Sequence, residues 1–302
     1  MRVSYLKSTL IALILVSCGA INSKHDDYKT DNVEVEINKA ENSSVFINNA
    51  IEKAKQLLSN NEYTPFEVIQ KQKLSKTEER SEVLVHTSSN PTLKSGNEIY
   101  NYLKERTLYI ADSYLCDRCP NMHLTYASGF VIHEDGIIVT NYHVINAKGN
   151  LKSSAIFAVN HDGKVYSVSK VLSASKPNDI AILQLDMRGD KLKYLELAKE
   201  ELVGEDVFVM GHPFNKTFSM SKGIVSRKYI KNSNNMLKMS VTADFGIGSS
   251  GGPVVNSYGD LVGVVSATSS HYTNGSKRNG DLQMVVKEVV PVSVLYNYVN
   301  KN

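Results

Sequence analysis

An all-β architecture is what the chain from Arg106 onward predicts, and three observations predict it. Short β-branched and aromatic runs recur at roughly ten-residue spacing. Turn sequences such as Glu134-Asp135-Gly136 and His161-Asp162-Gly163 separate them. No long helical pattern interrupts them until the last residues. Strands in this arrangement build antiparallel barrels or a sandwich rather than a parallel α/β sheet. The composition supplies the core, since 42% of the 302 residues are hydrophobic and 22% charged, which excludes a collagenous, coiled-coil or wholly disordered chain.

The N-terminal elements precede that β region. Residues 1–17 carry Arg2 and Lys7, then the apolar run Leu10 to Val16 and the small Ser17, the layout of a secretory signal too short to span a bilayer. Leu15-Val16-Ser17-Cys18 resembles the lipobox of bacterial lipoproteins, which implies lipid on the Cys18 thiol, attachment to a membrane through that lipid and a place in the cell envelope. Gly19 stands after the cysteine where an inner-membrane retention signal has Asp, which favours the outer membrane in a source with two. An ordinary signal peptide with an incidental cysteine is the alternative. Residues 18–44 are rich in Asn, Lys, Asp and Ser and cannot bury enough surface to offset their ordering entropy, so a tether is expected there.

Residues 45–95 form a helical extension in this reading. Phe46, Ile47, Ala50, Ile51, Ala54, Leu57 and Leu58 recur at helical spacing. Thr64-Pro65-Phe66-Glu67 offers a cap, a first-turn proline and a capping-box glutamate. A polar stretch follows, then Ser95-Gly96-Asn97-Glu98, another capping box opening a helix with Ile99, Tyr102 and Leu103 on one face. Residues 96–302 form the main domain, in which the strand runs TLYIADSYL, ASGFVI, GIIVT, SAIFAV, KVYSVSKVL, DIAILQL, DVFVMG and LVGVVSA begin beyond Arg106 and Pro291 to Val299 closes the chain as a helix. The formal net charge of +3 falls further once Arg2 and Lys7 are removed, so nucleic acid and acidic surfaces are not recruited by bulk charge.

The chemistry resides in three short blocks. In Phe245-Gly246-Ile247-Gly248-Ser249-Ser250-Gly251-Gly252-Pro253 glycines flank a serine, a backbone able to turn sharply and present amide N–H groups around Ser250. A serine nucleophile needs a base, and His143 closes the strand-like run GIIVTNYHVI. The base needs an orienting carboxylate, and Asp179 opens the apolar strand Ile180-Ala181-Ile182-Leu183. Taken singly, each of the three is more often an ordinary turn or surface residue; it is their combination that points to chemistry.

These blocks resemble those of trypsin-like (chymotrypsin-fold) serine proteases, most of all the bacterial HtrA/Deg type. Ala127-Ser128-Gly129-Phe130 with Thr140-Asn141-Tyr142-His143-Val144 matches the histidine block, Asn178-Asp179-Ile180-Ala181 the aspartate block and Gly248-Ser249-Ser250-Gly251-Gly252-Pro253 the nucleophile block. Gly211-His212-Pro213-Phe214 and Ser221-Lys222-Gly223-Ile224-Val225-Ser226 match the segment between them. The resemblance implies a double six-stranded antiparallel β-barrel with a short C-terminal helix. It implies peptide-bond hydrolysis by a His143, Asp179 and Ser250 triad, with the Gly248 and Ser250 N–H groups as oxyanion hole. Proteins or peptides, unfolded ones among them, are the implied substrates, and no metal or organic cofactor is needed. Members of the type usually continue into PDZ domains, whereas the stretch after Ser250 is expected only to complete the second barrel.

Three features stay open at this level. Asp244 lies six positions before the nucleophile, where the family sets the floor of its primary pocket, with Ser266, Ala267 and Thr268 as the opposite wall. An acidic floor would select Lys or Arg; an Asp244 that only braces its loop would leave a shallow pocket for Val or Ala, and this second reading is preferred. Cys116 and Cys119 fit a local disulfide or a pair of free thiols better than a metal site, which would need more ligands. The extension is a spacer, a lid or an element for homo-oligomers. A catalytically silent protease fold acting as a binding or holdase module is the alternative function.

Overall fold

The computed structural model describes residues 42–89, 91–115, 121–147, 152–231, 235–275 and 280–302. Residues 42–302 are one compact unit. Its elements begin with helices α1 (Ser43–Ser59) and α2 (Phe66–Ser75), a short strand β1 (Leu84–Val85) and helix α3 (Gly96–Lys104). The first ring of strands comprises β2 (Thr107–Leu115), β4 (Ala127–His133), β5 (Ile137–Thr140), β6 (Lys152–Val159), β7 (Val165–Ser175) and β8 (Ile180–Leu185), with β3 (Met122–Leu124) outside it on β2. Pairing of β2 with both β4 and β6 closes that ring. The second barrel is closed in the order β10 (Ser219–Lys231), β11 (Met236–Val241), β14 (Leu282–Pro291), β13 (Leu261–Tyr272), β12 (Pro253–Asn256) and β9 (Asp206–Gly211). Every neighbouring pair in both rings is antiparallel, as a double six-stranded barrel requires.

The unbroken apolar runs follow from having two barrels side by side. Strand side chains alternate between faces, so a strand apolar at every position must be covered on both. In β8, Ala181 and Leu183 fill the first barrel while Ile180 and Ile182 join a cluster shared with the second. In β9, Val207 and Val209 fill the second barrel while Phe208 and Met210 meet the shared cluster. Phe130, Ile132 and Val139 from the first barrel and Val264 and Val290 from the second belong to that cluster too. Each large side chain so buried contributes on the order of 1.5–3 kcal/mol, which makes the seam between the barrels as much a core as their interiors.

The N-terminal helices are built into this body. Asn42 caps α1 by accepting from the Val45 N–H at 3.2 Å. Ala50 and Ala54, one turn apart, let the helix lie close on the sheet, where they pack against Tyr109, Ala111 and Val159 and against Ala155 and Phe157. From α2, Phe66 and Ile69 enter the first-barrel core. The capping box on α3 forms as expected, with Ser95 and Glu98 each closing on the other's backbone. We expect Ser95→Ala to lower the unfolding free energy by about 1 kcal/mol in urea titrations.

Two local expectations are corrected. Thr64 does not cap α2: Pro65 occupies the N-cap position, and the Thr64 hydroxyl donates instead to the Ser169 carbonyl. The closing helix is a single turn, α4 (Val292–Leu295), because the chain then runs into strand β15 (Asn300–Lys301), which pairs in parallel with β1.

Candidate active site

The sharpest feature of the cleft is the turn before β8. Asp179 adopts φ of +61°, a left-handed conformation that Asp tolerates better than most residues. The Asn141 side-chain amide holds it by donating to the Asp179 carbonyl at 2.9 Å. So turned, the Asp179 carboxylate faces His143, whose Nδ1 lies 2.9 Å from Oδ1 and 3.0 Å from Oδ2, and whose backbone N–H donates to Oδ1 at 3.2 Å. The Ser266 hydroxyl donates to Oδ2 at 2.7 Å. An ionised carboxylate accepts only, so Nδ1 carries the proton and Nε2 is left as the basic nitrogen.

The helices of the extension support this histidine. His143 lies in a 3₁₀ turn, Tyr142–Ile145. Gln70 of α2 donates to the Ile145 carbonyl at 2.7 Å, and the buried Lys73 ammonium donates to Asn146 at 2.6 Å while lying 4.9 Å from the centre of the Tyr142 ring. Burial, with Lys176 nearby, lowers the Lys73 pKa.

Ser250 is located by the glycines around it. Gly251 has φ of +82°, and a Cβ there would come within 2.3 Å of both the Ser128 carbonyl and the Thr140 hydroxyl. Gly248, at φ of +100°, would meet the His212 carbonyl at 2.4 Å. The Ser250 carbonyl accepts from the Ser128 N–H at 2.8 Å, and the Gly251 N–H donates to Val265 at 2.9 Å. The Ser128 hydroxyl donates to the Gly248 carbonyl at 2.8 Å, turning that carbonyl inward. Among the described residues, the N–H groups of Gly248 and Ser250 have no acceptor, while those of Ser249, Gly251 and Gly252 are all bonded to backbone carbonyls. Two unspent donors, the serine's own N–H and that of the residue two positions before it, are what an oxyanion site requires. We expect Gly251→Ala to yield protein unfolded or lowered in Tm by more than 10 °C, as measured by circular dichroism, since both strain and clash must be relieved.

A recess of about 80 Å³ adjoins Ser250, walled by Phe245, Gly246, Ile247, Ser266, Ala267 and Thr268. Ser266 thus both lines this recess and anchors Asp179, which ties Ser250 to the His143 and Asp179 pair. Asp244 takes no part in the recess. Its side chain is 88% exposed and forms an ion pair with Lys287 at 2.7 Å, and that ammonium holds its carboxyl below the usual carboxylate range.

Behind Gly248 lies a buried ring that sequence patterns did not single out. His212 accepts the Phe218 N–H on Nδ1 at 3.1 Å, and edge-on contacts join it to Tyr109 and Phe218. Phe46 of α1 packs edge-on against Phe218 and Tyr109, and the Ser43 hydroxyl pairs with that of Thr217 at 2.9 Å. Burial pushes the His212 pKa down to about 3. Its unfolded value is near 6.5, so between those values only the unfolded chain binds the proton, and the stability present above about pH 6.5 is lost as pH falls. The loss from pH 7 to pH 5 should be about 2 kcal/mol in urea titrations and should shrink in His212→Asn.

Residues 127–264 match the model of the trypsin-like peptidase domain. The chain carries a trypsin-like peptidase domain. It is similar to the chloroplastic Protease Do-like 1 of Arabidopsis thaliana, with 32% identity over 151 residues, 47% of this chain and 33% of that protein. Serine protease HTRA1 of Xenopus laevis shares 34% over 146 residues, 45% of this chain and 30% of its own length. A probable periplasmic serine endoprotease, DegP-like, from Hahella chejuensis shares 31% over 188 residues, 61% of this chain and 37% of that one. The chain therefore spans about a third of the length of these relatives. Of the residues named from sequence, the peptidase domain brings His143 and Ser266 each into contact with Asp179 and sets Ser250, Ala267 and Thr268 at the adjoining recess, with Gly248 two positions before Ser250. Asp244 points away from it. Cys18, Cys116 and Cys119 lie outside the described residues. Ser128, Thr140 and Asn141 stood inside the matched blocks, but only the fold shows that they hold the nucleophile loop and the Asp179 turn.

Proposed function

We propose that the protein is a serine endopeptidase that cleaves protein or peptide chains through an acyl-enzyme. The observation that carries this reading is the Asp179 carboxylate gripped by His143 Nδ1 and by Ser266, a residue that shares a recess with Ser250, whose own N–H and that of Gly248 are unspent. In the first half-reaction the Ser250 Oγ bonds to the carbonyl carbon and its proton passes to His143 Nε2. Asp179 stabilises the imidazolium, and the Gly248 and Ser250 N–H groups hold the oxyanion. The imidazolium then gives its proton to the departing amine as the C–N bond breaks. Water, activated by the same nitrogen, releases the acid and restores Ser250.

The small recess suits a short side chain on the acyl side of the bond, and the outward turn of Asp244 argues against selection of Lys or Arg there. Relatives named as periplasmic endoproteases support a place in the cell envelope, with lipid on Cys18 as the proposed anchor. The test is covalent labelling: a fluorophosphonate should modify the wild type at Ser250 and leave Ser250→Ala unmodified. Absence of labelling in folded wild-type protein sinks the reading.

A further inference from the structure

The loop Asp244–Ile247 is a thin partition. Its front face, with Thr268, walls the 80 Å³ recess at Ser250; its rear face, with the same Thr268, walls a larger cavity of about 540 Å³ that also reaches Ser219, Ser221 and Val285. Phe245 alone of the partition is seated in the second-barrel core, so the position of the rest depends on what holds its backbone. Besides the Ser249 N–H, which donates to the Gly246 carbonyl at 2.9 Å, three attachments from farther along the chain do so. The Ser221 hydroxyl donates to the Asp244 carbonyl at 2.5 Å, the Phe214 N–H donates to the Ile247 carbonyl at 2.8 Å, and the Lys287 ammonium donates to the Phe245 carbonyl between them.

Lys287 makes the most extensive of these attachments. It projects from β14 with its side chain only 14% exposed, pairs with the Asp244 carboxylate at 2.7 Å, and lies 5.2 Å from the centre of the Phe245 ring. One cation therefore binds a carboxylate, a carbonyl and an aromatic face within two consecutive residues of the partition. Because it approaches from the rear cavity, it fixes how far the partition can retreat when a side chain enters from the front.

We infer that Lys287 sets the depth of the primary specificity recess, acting as a latch through Asp244 and Phe245 that keeps the two spaces apart and restricts the acyl-side residue to a short side chain. This rests on the endopeptidase reading above and adds to it the residue that determines the substrate class. Lys287 is a positioning residue here, since it reaches neither Ser250 nor the recess itself. Release of the latch would free the Phe245 backbone and let Gly246 shift into the rear space and join the two volumes.

The test compares two matched peptide substrates, with Ala or Phe preceding the scissile bond, and takes the ratio of their kcat/KM values within each protein. A uniform loss of activity or of folded enzyme cancels in that ratio, so a merely structural role for Lys287 leaves it unmoved. Lys287→Met keeps the aliphatic stem and removes the charge; the Phe-to-Ala ratio should rise about tenfold or more. Asp244→Ala removes the exposed partner of the latch, with little bearing on folding, and should raise the ratio in the same direction by a smaller factor. A ratio within twofold of wild type in Lys287→Met overturns the inference. If that variant does not fold, an unchanged ratio in Asp244→Ala overturns it instead. Wild-type protein that neither cleaves the Ala peptide nor accepts the fluorophosphonate overturns the endopeptidase reading and the latch together, whereas active enzyme with unmoved ratios removes only the latch.

Discussion

Ser250→Ala and His143→Ala should each lower kcat on a casein or peptide substrate by about a millionfold, and the double variant should lose scarcely more. In the proposed mechanism the two residues act as a unit: without the imidazole the hydroxyl keeps its proton, and without the hydroxyl the imidazole has nothing to deprotonate. Residual turnover of roughly 10³–10⁴ over water would persist from the Gly248 and Ser250 N–H donors and from substrate binding. Both side chains lie at the surface of a cleft rather than in the core, and His143 is 51% exposed. Circular dichroism and Tm should therefore match wild type, which separates loss of chemistry from loss of fold. Retention of activity within a hundredfold in His143→Ala would assign the base elsewhere.

Asp179→Asn should lower kcat by about four orders of magnitude with KM little changed. The carboxylate receives three donors, the His143 N–H, the His143 Nδ1–H and the Ser266 hydroxyl, and two oxygens accept them all. A carboxamide has one accepting oxygen and an NH₂ group that can only donate. Whichever way it is turned, one donor meets another donor, and the imidazole is drawn into the tautomer that presents a proton toward Ser250. The left-handed turn and its Asn141 bond involve the backbone and persist, so the fold is kept. Nitrogen NMR of the imidazole would detect the exchanged tautomer directly. Ser266→Ala, which removes one charge-assisted bond and leaves the tautomer intact, should cost only about ten- to a hundredfold.

The residues proposed for the site could be singled out in sequence because each stands in a block whose local backbone is unusual, a strand end at His143, a turn at Asp179 and a glycine frame at Ser250. The strands of the seam were legible for a related reason: β8 and β9 are apolar on both faces. Strands β10, β11 and β14 escaped the pattern, since Lys and Ser interrupt the first two, Gln283, Lys287 and Glu288 the third, and one face of β10 is largely open. Asp244 was placed by counting back from Ser250, and counting cannot report which way a loop side chain turns. A lysine far along the chain decides that, and nothing near Asp244 in sequence points to it. The docking of α1 was hidden for another reason, because two alanines carry little hydrophobic signal yet permit the closest approach of helix to sheet.

The seat of α1 also has a mechanical consequence. The first described residues do not enter the molecule at a remote pole: Ser43 is bonded to Thr217 and Phe46 rests on Phe218, both in the loop whose Phe214 N–H holds the Ile247 carbonyl, and Phe46 also rests on Tyr109 of β2. Tension on the chain upstream of Asn42 is borne first by these few contacts, ahead of any barrel strand. They are weak relative to a closed sheet, so under load the helix peels away before either barrel opens. The cleft wall is where such a pull would first be felt.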